Sequence, residues 1–147
     1  MADILVRLAS KADVEWCVKT ATFDSNRFAE QISGINEVIV AELQGELVGM
    51  LHLCFLWPGH DGGTAFISLI NVLREHQRKG VGKAMLAFVE DDLRRRGHRI
   101  LLSSCVVDEY EPQTWHRHMG FSECGFLAGF PFEDDLGELF LFTELGT

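Results

Sequence analysis

The stretch QRKGVGKAML occupies residues 77–86 and sets Gly80 and Gly82 among the cations Arg78, Lys79 and Lys83. Downstream, Met85, Leu86, Val89 and Leu93 recur near helical spacing, so a helix opens at the glycines. Upstream, AFISLINVL (65–73) is almost continuously apolar, the pattern of a central strand covered on both faces. The stretch therefore joins a strand end to a helix start through a Gly-x-Gly turn. Backbone N–H groups at a helix start have no intrahelical partner and lie at the positive end of the helix dipole. Glycines let such a backbone approach a ligand and adopt φ > 0, and neighbouring Arg and Lys add point charge. Together these features make a phosphate cradle. A tight turn with a solvated basic rim fits the same residues, and the turn alone does not choose between the two.

Two other phosphate motifs fail here. A Walker A loop needs G-x-x-x-x-G-K-[ST], and Gly80-Val81-Gly82-Lys83 lacks its first half and its hydroxyl. A dinucleotide fingerprint needs a third glycine, but position 85 is Met.

The chain has 147 residues, which suits one domain, residues 1–147, around one core. With 47% hydrophobic and 24% charged residues, it has the composition of a globular protein. The formal net charge of -9 disfavours nucleic acid and anionic membranes and favours a cationic small molecule. No apolar run reaches the ~20 residues of a membrane span, and MADILVRLAS does not read as a secretory signal. Cys17, Cys54, Cys105 and Cys124 are widely spaced without a C-x-x-C pair, so zinc and redox motifs are not expected. All four read as buried thiols in a reducing cytoplasm.

DILVRLAS reads as a first strand, followed by a helix over Lys11–Thr22 with Ser10 as N-cap and Asp13 as its capping-box partner. SNRFAEQIS (25–33) reads as a short helix ended by Gly34. Two β-rich runs flank Gln44-Gly45-Glu46, the pattern of a hairpin. The helix after Gly82 carries three i,i+4 pairs, Glu90–Arg94, Asp91–Arg95 and Asp92–Arg96, and Gly97 suits its C′ position. RILLSSCVV is a strand, and PQTWHRHM a short helix with Pro112 suited to N1 and Gly120 to C′. ECGFLAGF and LGELFLFTEL close the chain as strands around an acidic loop. The predicted order is β-α-α-β-β-β-α-β-α-β-β, one mixed α/β domain.

Gln77-Arg78-Lys79-Gly80-Val81-Gly82 resembles the Q/R-x-x-G-x-G/A signature of the GNAT superfamily of N-acetyltransferases. WHRHMGF (115–121) resembles that family's second motif, a short helix ending in G-F, and the element order is similar over nearly the whole chain. The resemblance implies a mixed central sheet splayed between its fourth and fifth strands, AFISLINVL and RILLSSCVV, with acetyl-CoA in the gap. Backbone groups near Ile70, Val72 and Leu73 would pair with the pantetheine arm. Amides from Gln77 through Arg78, Lys79, Gly80, Val81, Gly82 and Lys83 would hold the pyrophosphate. The Val72 amide would stabilise the oxyanion of direct acetyl transfer, with no metal.

The chain departs from the family pattern where acid and base are expected. The family's tyrosine donor, four residues before the G-F glycine, is His116 here. His116 would serve as general acid if DEYE (108–111) raised its pKa, or simply stabilise a helix C-terminus. Tyr110, the chain's one tyrosine, is the rival donor. The strand glutamate that many relatives use as base is Ser68, which can order a water but cannot act as a base alone. Glu109 and Glu111 are candidate bases that also read as solvated loop carboxylates, and a family asparagine corresponds roughly to Glu109. Trp115 and Met119 read as one core face of the short helix.

In the family the acceptor pocket lies between the early helices and the loop joining the last two strands, here about 22–34 and 131–137. Asp24, Glu30, Glu133, Asp134 and Asp135 would make it acidic, and Phe23, Phe28, Phe130 and Phe132 would wall it. The expected function is acetyl transfer to a primary amine of a small cationic molecule or a peptide. The alternative is a CoA-binding or sensor module of the same fold without turnover, and a third reading is an unrelated phosphate-ligand enzyme. The resemblance leaves a homodimer open.

Overall fold

A computed structural model describes residues 3–21, 37–129 and 136–146. The strands are β1 (Ile4–Leu8), β2 (Glu37–Leu43), β3 (Glu46–Leu56), β4 (Thr64–Val72), β5 (Ile100–Val106), β6 (Ser122–Ala128) and β7 (Gly137–Glu144). The described α-helices are α1 (Val14–Ala21), α2 (Val81–Arg95) and α3 (Tyr110–His118). The helix expected over 25–33 lies outside the described residues. The strands form one seven-stranded sheet in the order β1-β2-β3-β4-β5-β7-β6. Every neighbouring pair is antiparallel except β4 and β5, which run parallel.

The apolar strand β4 takes the middle of this sheet, and its apolar run is used on both faces. Ala65 and Ile67 belong to the main core with Met85, Leu86, Val89 and Leu93 of α2, and with Leu101, Leu139 and Leu141. Leu69 points the other way, onto a smaller cluster of Cys17, Val38, Val40 and Met50 beside α1. Each fully buried aliphatic side chain of α2 contributes about 1.5–3 kcal/mol. The solvent side of α2 carries all three expected ion pairs, Glu90–Arg94 at 3.1 Å, Asp91–Arg95 at 3.2 Å and Asp92–Arg96 at 3.0 Å. Gly97, at φ +87°, ends the helix as its spacing predicts.

Other expectations need adjustment. Lys11–Asp13 forms a 3-10 turn before α1 begins at Val14. Asp13 still accepts the Ser10 amide at 2.7 Å, but it also binds Arg7 at 2.7 Å, and that guanidinium draws its carboxyl down to about 2. Pro112 stands at the third position of α3, because the helix starts two residues earlier with Glu109 as N-cap. Only Cys17 and Cys105 are buried; Cys54 is half-buried and Cys124 exposed. β7 inserts between β5 and β6, so the last two strands do not follow chain order in the sheet.

Candidate active site

β4 and β5 pair only through Ala65–Leu101, Phe66–Leu102 and Ile67–Ser103. Beyond Ile67 the β5-facing edge of β4 has no strand partner among the described residues, while its other edge stays paired with β3 as far as Val72. The parallel strands thus diverge at Ile67 and Ser103, leaving a gap whose β4 wall runs from Ser68 to Val72. Ile70 and Val72 stand along this wall, half-buried and packed on the α2 core. An open strand edge supplies unpaired backbone groups to an extended ligand.

The gap leads to the glycine turn. Leu73 donates its amide to Val48 at 2.9 Å, and a 3-10 turn over Arg74–His76 follows. The Gln77 side chain donates to the Val72 carbonyl at 3.1 Å, tying the turn back to the end of β4. Arg78 has φ +63° and Gly80 φ +85°, so two left-handed residues close the loop within three positions. The first helical bond runs from Ala84 to Gly80 at 2.9 Å, which places the amides of Val81, Gly82 and Lys83 ahead of the intrahelical ladder. The Val81 side chain is buried in the core, so it anchors the turn while its amide remains at the helix mouth. A Cβ on Gly82 would meet the Trp115 indole at 3.5 Å, so α3 packs directly against this mouth. Arg78, Lys79, Gly80 and Lys83 are all exposed.

His116 is buried within α3. Its Nδ1 lies 2.7 Å from the Pro112 carbonyl, which can only accept, so that nitrogen carries the ring proton. Its Nε2 then accepts the Ser103 hydroxyl at 2.7 Å. The ring sits edge-on between Trp115 and Phe121, and burial lowers its pKa from the ordinary 6.5. The carboxylates of 108–111 are not among the causes of this shift, and the imidazole is neutral with both nitrogens engaged. Tyr110 is at the first position of α3, 76% exposed. Glu109 and Glu111 are exposed at the same helix start.

On the sheet face opposite α2, a cavity of about 700 Å³ opens beside the gap. Among the described residues it is lined by Trp57, Phe66, Ser68, Ser104, Glu138 and Phe140, with apolar neighbours. Glu138 is the one charged residue in the described lining. Ser68 is the extra residue of a bulge, because His52 pairs with Leu69 while Leu53 pairs with Ile67. Its hydroxyl lies 2.6 Å from Nδ1 of the buried His52. Sequence reading missed His52 and Glu138, since nothing in the local pattern of β3 or β7 marks them. The acidic and aromatic residues expected in the acceptor loops, 22–34 and 130–135, lie outside the described residues.

A parallel pair that splays in mid-sheet, with a glycine-rich helix mouth at its end, is the arrangement that the sequence resemblance led us to expect. The family model for the acetyltransferase (GNAT) family matches residues 6–121, and the chain belongs to that family. Similar solved structures include the ribosomal-protein-S18-alanine N-acetyltransferase of Escherichia coli, 16% identical with a TM-score of 0.83 over 99% of this chain and 96% of that one. A GNAT-family acetyltransferase of Elizabethkingia anophelis, solved with acetyl-CoA bound, is 14% identical with a TM-score of 0.76 over 96% and 97%. An N-acetyltransferase of Staphylococcus aureus is 16% identical with a TM-score of 0.82 over 98% and 99%. At these identities the likeness shows the fold. A comparison with curated proteins finds no match.

Proposed function

We propose that this protein transfers an acetyl group from acetyl-CoA to a primary amine on a small cationic molecule or a peptide. The observation that carries the reading is the gap between β4 and β5. At one end is the glycine turn of 77–83, and on the far face is a cavity whose described charge is Glu138 alone. The amides of 78–83 and the cations around them fit a pyrophosphate, and the open edge from Ser68 to Val72 fits the pantetheine arm. An ammonium on the acceptor is attracted to Glu138 and to the faces of Trp57, Phe66 and Phe140.

The amine attacks the thioester carbonyl, a C–N bond forms, the C–S bond breaks, and the thiolate leaves with a reference pKa near ~8.5. The Val72 amide, on the open part of β4, would stabilise the oxyanion. His116 has both nitrogens engaged, so of the two donors named from sequence we assign protonation of the thiolate to Tyr110. His116 takes a positioning role, holding α3 on β5. Tyr110→Phe then lowers kcat by ~10²-fold or more.

Calorimetry with acetyl-CoA, followed by thiol release against a panel of amines, tests the reading. Binding with release for cationic amines is expected. Binding without release for any amine would make the protein a CoA-binding module, and no binding to the intact protein would remove the reading altogether.

A further inference from the structure

We propose that Ser68 and His52 form the proton relay that deprotonates the acceptor ammonium, in place of the strand carboxylate that this chain lacks. The inference rests on the acetyl-transfer reading above. Ser68 is the first residue of β4 past its last pairing with β5, and the β3–β4 bulge turns its hydroxyl into the cavity on the acceptor face. It therefore stands where an amine must wait to reach a carbonyl held in the gap. The hydroxyl lies 2.6 Å from His52 Nδ1 and 3.3 Å from the His52 carbonyl, with the Cys54 thiol also in hydrogen-bonding reach, and the relay requires the O–H to point to Nδ1. A bare Nδ1 puts the neutral ring's proton on Nε2. His52 is 5% exposed, and that burial lowers its pKa from 6.5, so the ring is a neutral base at pH 7.

The proton balance closes without any further reactant. The ammonium gives one proton to Ser68 Oγ while Ser68 gives its own to His52 Nδ1. The products are a free amine, an intact serine hydroxyl and an imidazolium protonated on both nitrogens. The amine then attacks the carbonyl, and the C–S bond breaks as the tetrahedral adduct collapses. The thiolate takes its proton from Tyr110, the amine's second proton restores the Tyr110 phenol through solvent, and His52 returns its proton to solvent after product departs. Ser68 touches the reacting nitrogen. His52 acts through Ser68, and this distinguishes the pair from a lone serine, which has no basic atom to receive the charge.

The test uses the full chain, acetyl-CoA and the best amine from the panel. Ser68→Ala and His52→Gln are each expected to lower kcat about 100-fold or more. The acetyl-CoA Kd should stay within about twofold of wild type, since the proposed contacts to the pantetheine arm come from the backbone of β4 and not from either side chain. Ser68→Thr, which keeps the hydroxyl, should recover kcat to within about fivefold. The double variant should be no slower than the slower single one, as groups acting in series behave. Nitrogen-15 spectra of labelled histidine supply a readout independent of turnover, with Nδ1 of His52 unprotonated in the wild type and its resonance shifted in Ser68→Ala. Wild-type acetylation that survives Ser68→Ala within threefold, or an Nδ1-protonated His52, overturns the relay and leaves acetyl transfer standing. A wild type that binds acetyl-CoA but releases no thiol with any amine overturns both.

Discussion

The Ser103 hydroxyl donates to Nε2 of His116 at 2.7 Å, and Ser103 is also the last residue of β5 that pairs with β4. One buried hydrogen bond therefore fixes α3 to the sheet at the point where the two parallel strands part. Trp115, the residue before His116, lies against Gly82 at the mouth of α2. The gap, the helix mouth and α3 are thus held in register by two neighbouring side chains of one helix.

Removing that bond should cost stability more than chemistry. His116→Ala leaves the Ser103 hydroxyl buried without its acceptor and opens a cavity between Trp115 and Phe121. A loss of about 3 kcal/mol in unfolding free energy is expected, read from the urea midpoint at constant m-value. Per folded molecule, kcat should fall less than tenfold. A loss of 100-fold or more at full folding would return the acid role to His116.

Buried neutral histidines also predict the direction of pH sensitivity. His52 and His116 both have folded pKa values below the ordinary 6.5, with desolvation as the leading cause. Above 6.5 both folded and unfolded forms are neutral, and stability is fully present. Below 6.5 the unfolded chain takes up protons that the folded chain refuses, so stability falls until the lowered pKa values are reached. Each histidine contributes a slope of up to about 1.4 kcal/mol per pH unit. Thermal melts from pH 8 to 5 should show Tm level above about 7 and falling below 6.5, with a shallower acid limb in His116→Gln.

Much of the scaffold was legible because its signals are local. The bounds of α2 follow from Gly80, the recurrence of Met85, Leu86, Val89 and Leu93, and Gly97, and all of these act within a few residues of one another. The hairpin likewise follows from Gln44 and Gly45, which take φ +53° and +82° between β2 and β3. What escaped was set by pairing between distant segments. The insertion of β7 between β5 and β6 leaves no periodic trace, and neither does the bulge that brings Ser68 to His52 across 16 positions. Ser68 was legible only as the place where a carboxylate is missing. His116 was legible as a substituted tyrosine, but its burial against Ser103 was not, because helical spacing fixes a face and not the depth at which that face packs.

Arg78 gives a test in which stability and binding move in opposite directions. Its φ of +63° is a left-handed conformation that costs a side-chain-bearing residue about 1–2 kcal/mol. Arg78→Gly relieves that strain but loosens the unfolded chain, so a net gain of up to about 1 kcal/mol is expected in chemical denaturation. The same change removes a cation from the rim of the proposed pyrophosphate cradle. Calorimetry should show acetyl-CoA bound about five- to tenfold more weakly, with a smaller dependence of Kd on salt. Weaker binding with unchanged salt dependence would place Arg78 outside the cradle.

Gly49 on β3 lies beneath the first turn of α2, where the proposed cradle begins. A Cβ there would stand 3.0 Å from Met85 Cε, 3.0 Å from Val81 Cγ1 and 3.3 Å from the Asn71 carbonyl. The Met85 terminus can swing away, but Val81 is β-branched, fully buried and anchors the first turn of α2. Gly49→Ala therefore pushes the start of α2 off the sheet and should cost about 1–3 kcal/mol. Because the amides of Val81, Gly82 and Lys83 move with that turn, acetyl-CoA affinity should fall along with stability, although Gly49 lies on the inner side of the helix. Adding Val81→Ala should recover part of both losses, as a double-mutant cycle with positive coupling. Recovery of stability without recovery of affinity would separate the packing of α2 from the grip of its amides on the coenzyme.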